Sequence, residues 1–251
     1  MDTLILTLQL FTSLPIKKEI EVTDERLIRG VALWPVAGIL VGLFDGLIFW
    51  LASRIFPIPV AAALALLGEL WMTRGFHLDG LCDTTDALFS SRNRERMLEI
   101  MKDSHIGTFG VAALVCDLGF KFLLITSSAM PLYLILAAPV AGKMVQAIAM
   151  YRANYPREKG LGKSYIGRIS PGITLSCTLL GGLWVGIVLF LGGSIWWQPL
   201  IALLLCCLFA WLLRHHMVKK LGGMTGDTLG AVSELVEIFL MLAMVALEGV
   251  G

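Results

Sequence analysis

The 251-residue chain has few charged residues: Asp, Glu, Lys and Arg make up 16% of it, whereas soluble domains carry about 25%. Apolar and aromatic residues make up 57%, so the composition argues against a soluble globular domain. The 20 basic and 19 acidic residues leave a net charge of +1, which is too little to attract DNA or RNA and argues against a nucleic-acid partner. The chain also lacks a linker or low-complexity tract, and we interpret residues 1–251 as one domain.

The chain has no cysteine pattern of the kind that holds metals or disulfides. Its five cysteines are an odd number without a C-x-x-C pair, and most lie in apolar runs: Cys82, Cys116, Cys177, Cys206 and Cys207. We therefore expect reduced, small apolar side chains rather than a disulfide framework or a zinc site. The first fourteen residues lack a basic segment, and we expect no cleaved signal peptide.

Long apolar runs dominate the chain instead. Crossing about 30 Å of hydrocarbon takes about 20 helical residues, and a spanning segment must be a helix or part of a closed barrel. Seven runs approach that length: Val31–Ala52, Ile58–Thr73, Ile106–Ser127, Pro131–Met150, Gly172–Leu191, Ile195–Leu213 and Leu229–Leu247. They predict an all-α, polytopic transmembrane helical bundle with about seven spans. The second run is the weakest, because it is short and contains Glu69.

The basic residues predict the orientation of this bundle. If the amino terminus is cytoplasmic, 17 of the 20 Lys and Arg residues fall in cytoplasmic segments, as the positive-inside rule requires. We therefore expect a protein of the cytoplasmic (inner) membrane whose amino terminus lies inside the cell.

Seven charged residues lie inside the predicted spans: Asp45, Glu69, Asp117, Lys121, Lys143, Glu234 and Glu237. A charge facing lipid costs about 2.5–3.5 kcal/mol on insertion scales, so these side chains should face the bundle interior, the interface or water. Asp117 and Lys121 are four residues apart and are expected to pair. The glutamates lie toward the cytoplasmic ends of their helices, where packing and a functional site are equally open interpretations.

An acidic motif follows the second run, R-G-F-H-L-D-G-L-C-D-T-T-D-A-L at residues 74–88. Asp79, Asp83 and Asp86 fall on one stripe of a helix, where three carboxylates repel one another unless a cation lies between them. Carboxylate oxygens suit Mg²⁺ or Mn²⁺. Because Asp79 and Asp86 are about 10.5 Å apart along the axis, two ions sharing Asp83 fit better than one. The alternative is a solvated acidic face. For His77, direct catalysis and a hydrogen-bonded scaffold role both stay open.

Three further segments carry polar or glycine-rich patterns. Asp103 and Ser104 precede the third run and can either cap its helix or favour bound phosphate. The basic loop at 152–168 suits an anionic substrate, or simply follows the positive-inside bias. The segment L-G-G-M-T-G-D-T-L-G-A at 221–231 precedes the last run. Its Asp227 is either a helix cap or a fourth carboxylate of the acidic site.

These motifs together resemble one known family. The chain reads G-F-H-L-D-G-L-C-D-T-T-D-A-L from 75, M-K-D-S-H-I-G-T-F-G from 101, G-L-G-K-S-Y-I-G from 160, and G-G-M-T-G-D-T-L-G-A from 222, with S-E-L-V-E following. In that order and spacing they are similar to the cobalamin synthase family, the adenosylcobinamide-GDP ribazoletransferases, over nearly the whole chain. The resemblance implies an integral membrane enzyme of nucleotide loop assembly. Such an enzyme joins adenosylcobinamide-GDP to alpha-ribazole or its 5′-phosphate, releases GMP and uses Mg²⁺.

The resemblance and the motifs give a set of expected site residues. Metal ligands are expected at Asp79, Asp83, Asp86 and Asp227, and catalytic roles at Asp83, Asp86 and His77. Substrate binding is expected from Arg74, Arg152, Lys159, Lys163, Gly226 and Thr228. We expect metal-assisted in-line displacement at phosphorus on the cytoplasmic side of the bilayer.

Two alternative functions and the oligomeric state remain open at this point. A membrane CDP-alcohol phosphotransferase of lipid synthesis also uses an array of aspartates, but its D-G-x-x-A-R element is missing from this chain. An ion-coupled transporter would use the charges inside the spans, and it leaves the acidic stripe without a role. The sequence does not fix the oligomeric state, a homo-oligomer included.

Overall fold

The computed structural model describes residues 1–249, in which the regular secondary structure is helical and no strand is present. The helices are α1 (Asp2–Phe11), α2 (Asp24–Gly30), α3 (Trp34–Ala52), α4 (Ile58–Thr73), α5 (Phe76–Phe89), α6 (Arg94–Ile100), α7 (Thr108–Ser127), α8 (Pro131–Met150), α9 (Pro171–Leu191), α10 (Trp197–Leu221) and α11 (Gly226–Glu248). Short 3₁₀ turns lie at Val31–Leu33 and Leu161–Ser164. The predicted all-α helical bundle is confirmed.

Six helical segments of the described chain are long and apolar enough to cross a membrane. The first joins α2, a 3₁₀ turn and α3 into Asp24–Ala52, and the others are α7 to α11. The seventh predicted span is α4, whose 16 residues extend about 24 Å. The predicted runs agree closely with these helices, although α10 continues past the expected end at Leu213 to Leu221. The number of spans and the orientation stay predictions.

Helix α8 lies at the centre of the bundle, with most of its side chains buried. It packs against α3, α9, α10 and α11. Helix α3 approaches it closely through small residues: a Cβ atom on Gly38 would stand 2.7 Å from the Pro139 carbonyl oxygen. Small residues let helix backbones meet in this way within membranes. The backbones of α3 and α8 therefore pack in direct contact.

Helices α9 and α10 form much of the outer surface and expose apolar side chains, among them Leu179, Leu183, Phe190, Leu204, Leu208 and Leu212. A surface with this much exposed leucine is expected where lipid, rather than water, is the solvent. The fold therefore has the polarity of a membrane protein, with charges inside and leucine outside.

One end of the bundle carries the polar motifs. Helix α4 ends at Thr73, and the next two residues, Arg74 and Gly75, both have left-handed backbone angles, with φ of 58° and 63°. They reverse the chain into α5, which carries the acidic motif. The segment that begins α11 lies beside the basic loop, because the Met224 amide donates to the Asn154 carbonyl at 2.8 Å. The acidic motif, the basic loop and the start of α11 therefore meet at the same end.

Candidate active site

A cavity of about 550 Å³ lies between α5 and the segment that joins α6 to α7. We call it the main cavity. Its polar lining consists of Arg74, Asp79, Asp83, Lys102, Asp103 and Ser104. Asp79 and Asp83 are one helical turn apart and so project toward the same side of α5. Two of the three stripe carboxylates therefore line one concave site beside two cationic side chains.

The electrostatics of this site favour a cation. Burial of its side chain, followed by the nearby carboxylates of Asp79 and Asp227, raises the pKa of Asp83 to about 7. The guanidinium group of Arg157 acts in the opposite direction. The ion pairs within residues 1–249 do not involve Asp79 or Asp83, since Arg157 pairs with Asp227 instead. The acidic pair is thus the part of the site with uncompensated negative charge.

Asp227 is placed beside the acidic pair by close packing of α11 on α5. Gly80 makes the approach possible, because a Cβ atom there would stand 2.8 Å from the Asp227 carbonyl oxygen. The carboxylate of Asp227 accepts a hydrogen bond from Arg157 at 2.6 Å. Asp227 is therefore near the acidic pair, as the sequence predicts for a fourth carboxylate, but it is paired with an arginine.

The start of α11 is closed by a capping box rather than left free for a ligand. The Thr225 hydroxyl accepts from the Thr228 amide at 3.2 Å, and the Thr228 hydroxyl accepts from the Thr225 amide at 2.8 Å. Thr228 is fully buried, so its hydroxyl is not presented to a substrate, in contrast to the sequence expectation. Gly226 has open space around it and stays a candidate for backbone contact.

Asp86 lies on the expected stripe, but its carboxylate has a structural partner. Its two oxygens accept hydrogen bonds from the Gly107 amide at 2.7 Å and the Gly110 amide at 2.8 Å. These amides belong to the start of α7, where a helix has unpaired N–H groups. Asp86 therefore caps α7 from another helix. Capping of α7 is one of the two roles that the sequence predicts for Asp103 or Ser104. It does not line the main cavity, which weakens its expected catalytic and metal-binding roles.

His77 is buried on the side of α5 that faces the bundle. Its Nδ1 lies 3.0 Å from the Lys143 ammonium nitrogen and its Nε2 lies 3.1 Å from the Gln146 amide nitrogen. Burial, and then the charge of Lys143, lower the pKa of His77 well below its usual value. The imidazole does not line the main cavity. This geometry favours the scaffold role over the catalytic one.

The basic loop contributes to a second cavity of about 520 Å³, whose lining includes Lys102, Arg157 and Lys159. Because Lys102 lines both cavities, the two adjoin. The Lys163 ammonium donates to the Glu158 carbonyl at 2.9 Å, and the Arg152 guanidinium lies over the Tyr151 ring at 5.1 Å. Of the expected loop residues, only Lys159 lines this cavity. The sequence does not identify Lys102 as a site residue, because nothing in its local pattern distinguishes it from other surface lysines.

Five of the seven charged residues inside the predicted spans form a separate cluster, with Lys121 at its centre. Its ammonium nitrogen lies 2.6 Å from Glu234, 2.8 Å from Glu237 and 3.0 Å from Glu69. The predicted pair with Asp117 exists, but at 3.8 Å it is the longest of the four contacts. These three glutamates are the group of acidic side chains within residues 1–249 that comes close enough to hold a metal ion. An ammonium group already contacts all three.

Comparisons with known proteins give one consistent result. A profile of the family described as cobalamin-5-phosphate synthase matches residues 3–245. An adenosylcobinamide-GDP ribazoletransferase from Clostridium novyi is 37% identical over 255 residues, which cover 100% of this chain and 99% of that protein. The protein of the same name from Listeria monocytogenes is 36% identical over 259 residues, which cover 99% of each chain. No solved structure matches the chain.

Proposed function

Because the chain belongs to the cobalamin-5-phosphate synthase family, we propose that it joins adenosylcobinamide-GDP to alpha-ribazole, or to alpha-ribazole 5′-phosphate, with release of GMP. Its long apolar helices make it an integral membrane protein. The resemblance seen in the sequence motifs is confirmed by the family match and by the full-length relatives. Neither alternative, the CDP-alcohol phosphotransferase or the ion-coupled transporter, is supported by these comparisons.

The observation that carries the proposal is the composition of the main cavity. Carboxylates of Asp79 and Asp83 lie there with the cationic side chains of Arg74 and Lys102. A pyrophosphate needs positive charge around its oxygens, and a displacement at phosphorus needs groups that stabilise the attacking and leaving oxygens. A cavity with both kinds of side chain fits the activated phosphate of the corrinoid substrate.

In the proposed reaction, a ribose hydroxyl of the ribazole attacks the cobinamide-side phosphorus in line. A new P–O bond forms, the bond from that phosphorus to the bridging oxygen breaks, and GMP leaves with the electron pair. Arg74 and Lys102 are the side chains placed to bind the departing phosphate. The hydroxyl proton goes to a carboxylate, and Asp83 is the best placed of the expected catalytic residues, since it lines the main cavity.

We also propose that Asp79 and Asp83 hold Mg²⁺, with Asp227 close enough to join through water. Mg²⁺ keeps several waters and commonly binds one or two carboxylates together with substrate phosphates, so a pair of free carboxylates in an open cavity fits it. When bound, the ion supplies charge stabilisation at the reacting phosphate oxygens. The raised pKa of Asp83 is consistent with this, because a bound cation favours the ionised carboxylate and so offsets the burial and the repulsion that raise the pKa.

The second cavity extends the site toward the basic loop, and its lining combines Lys102, Arg157 and Lys159 with Glu95, Glu99 and Glu158. This provides room for a substrate that is much larger than its reacting phosphate. We place the site on the cytoplasmic side of the inner membrane, because the positive residues concentrate in the segments at this end of the bundle.

The experiment uses the purified full-length protein with Mg²⁺, adenosylcobinamide-GDP and either alpha-ribazole or its 5′-phosphate. We expect equal amounts of GMP and completed cobamide. Asp83→Asn should abolish both products across a Mg²⁺ titration. Asp24→Asn is the matched control, because Asp24 is an exposed carboxylate on α2 that pairs with Arg168 and lies outside the site. Absence of GMP with wild-type protein refutes the function, and near-normal turnover in Asp83→Asn refutes the site.

A further inference from the structure

A third cavity, of about 440 Å³, lies between α5 and α10. We call it the interhelical cavity. Both helices pack against α11 but make little direct contact with each other, so Ala231 and Leu235 of α11 contribute the wall between them. Its volume is within the range of about 300–1,000 Å³ that is typical of small-molecule sites.

The interhelical cavity is apolar at one end and cationic at the other. Along α10 its lining runs from Leu213 through His216 to Lys220. Lys220 lies about 10.5 Å closer than Leu213 to the end of the bundle that carries the polar motifs. Helix α11 begins at that same end, at Gly226, and its Leu235 lies about 13.5 Å deeper. This gradient suits a ligand with an apolar chain and a polar head.

The charge of the interhelical cavity is positive. No carboxylate of residues 1–249 lines it, and their ion pairs do not involve Lys220. His216 is four residues from Lys220, so the two exposed side chains share one face of α10. The polar head is therefore expected to be an anion. A ligand ammonium group would find no counter-charge in this lining.

One polar atom in the wall of the interhelical cavity has no partner. Thr84 is 2% exposed, and its hydroxyl makes no hydrogen bond within the described part of the chain. The neighbouring Thr85 hydroxyl instead donates to the Leu81 carbonyl at 2.7 Å. Buried polar groups in folded proteins nearly always have a partner. Thr84 therefore indicates that an acceptor comes from a ligand in the cavity.

The position of the interhelical cavity separates it from the proposed reaction. It shares no lining residue with the main cavity. Its Leu81 and Leu88 lie about 160–180° around α5 from the pair of Asp79 and Asp83. The body of α5, about 10 Å across with its side chains, stands between the two cavities. A ligand in the interhelical cavity is thus a lipid of the surrounding bilayer rather than a reacting substrate.

We propose that the interhelical cavity binds one anionic glycerophospholipid. Lys220 and His216 hold its phosphate, the Thr84 hydroxyl donates to an ester oxygen, and an acyl chain extends along Leu213 and Leu235. Basic pockets between membrane helices are known to bind anionic headgroups in this way. The lipid joins α5 to α10, which otherwise touch little.

The test is native mass spectrometry of the full-length protein in detergent. Dioleoylphosphatidylglycerol, dioleoylphosphatidylethanolamine and glycerol 3-phosphate are titrated separately. We expect one phosphatidylglycerol per chain, bound about tenfold more tightly than phosphatidylethanolamine, and no retention of glycerol 3-phosphate, which lacks acyl chains. Equal dissociation constants for the two lipids overturn the proposal. So does retention of glycerol 3-phosphate, or a dimer that excludes phosphatidylglycerol, since a second copy of the chain then fills the cavity.

Two substitutions of exposed lysines locate the site. Lys220→Glu should weaken phosphatidylglycerol binding about tenfold or more. Lys219→Glu is the matched control, because it makes the same charge change one residue away and Lys219 does not line the interhelical cavity; its dissociation constant should stay within about twofold of the wild-type value. Equal loss in both variants overturns the location, because it shows a general attraction to the positive end of α10.

A third variant tests the buried hydroxyl. Thr84→Val keeps the shape of the side chain and removes its donor, so it should weaken phosphatidylglycerol binding about fivefold, as expected for one hydrogen bond. An unchanged dissociation constant overturns the assignment of Thr84 as a contact of the lipid.

Discussion

Replacing Asp86 with alanine should destabilise the protein through the loss of the cap on α7. The two hydrogen bonds that its carboxylate accepts, at 2.7 and 2.8 Å, have a charged acceptor, and such bonds contribute about 1.5 kcal/mol or more each. Losing both costs about 3 kcal/mol. For a chain of this length, 1 kcal/mol shifts the unfolding midpoint by about 2–4 °C. We therefore expect the midpoint of Asp86→Ala to fall by about 8 °C.

The assay combines thermal unfolding with a Mg²⁺ titration of turnover, carried out at a temperature below the unfolding midpoints of the wild-type protein and of the variant. If Asp86 acts as a cap, its variant unfolds earlier but reaches half-maximal turnover at the wild-type Mg²⁺ concentration. Asp83→Asn is the reciprocal variant. The pKa of Asp83 is raised in the folded protein from 3.8 to about 7, so this group costs stability progressively as the pH rises between these two values, and the full cost is present above pH 7. Above pH 7, the Asp83→Asn variant should therefore have an unfolding midpoint equal to or higher than that of the wild-type protein, while its turnover is lost.

The reasoning is refuted by the opposite pattern for Asp86. An unchanged midpoint together with a large increase in the Mg²⁺ concentration needed for turnover would show that Asp86 is a ligand, as the acidic stripe alone suggests. Asp86→Asn gives an intermediate check, since one oxygen remains to accept an amide and about half of the destabilisation is expected.

Three further outcomes follow from the structure. Lys121→Met should lower the free energy of unfolding by about 3–5 kcal/mol, because it leaves buried carboxylates without their cation. A denaturant or thermal unfolding series measures this loss, and a change below about 1 kcal/mol contradicts the prediction. If Asp83 is a Mg²⁺ ligand as proposed, apparent Mg²⁺ affinity should fall about tenfold from pH 8 to pH 6, because its pKa is raised to about 7 and a carboxylate binds the ion only when deprotonated. A calorimetric pH series that stays flat removes Asp83 as a ligand. Gly80→Ala should lower the free energy of unfolding by about 1–3 kcal/mol and reduce turnover, because its Cβ meets the backbone of Asp227. The control is Gly119→Ala, whose Cβ meets nothing within 4 Å. Equal behaviour of the two variants rejects the steric explanation.

The helices were largely predictable from the sequence because apolar run length is a local property. The predicted span Pro131–Met150 coincides with α8. The predicted span Ile106–Ser127 begins two residues before α7, which starts at Thr108. That difference has a tertiary cause, since the carboxylate that caps α7 comes from Asp86, more than twenty residues earlier. A local pattern carries no signal for such a partner.

The candidate site was predictable only in part, for the same reason. Helical spacing placed Asp79 and Asp83 on one side of α5, and both line the main cavity. Helical spacing also placed Asp86 on that stripe, but its carboxylate accepts hydrogen bonds from amides at the start of α7. The partners of Lys121 lie on three helices, and the sequence identified only the one four residues away. Local periodicity tells which side chains share a face, whereas tertiary packing decides what that face meets.

The shortness of α4 has a consequence for where the chemistry takes place. At about 24 Å, this helix is several ångströms shorter than an average hydrocarbon layer, and Arg74, which lines the main cavity, follows its last residue directly. If α4 crosses the bilayer as predicted, local thinning of the bilayer is one way to relieve this hydrophobic mismatch. The lipid headgroups would then lie closer to the main cavity, and the acyl-chain length of the lipid would affect how the proposed amphipathic substrate reaches it.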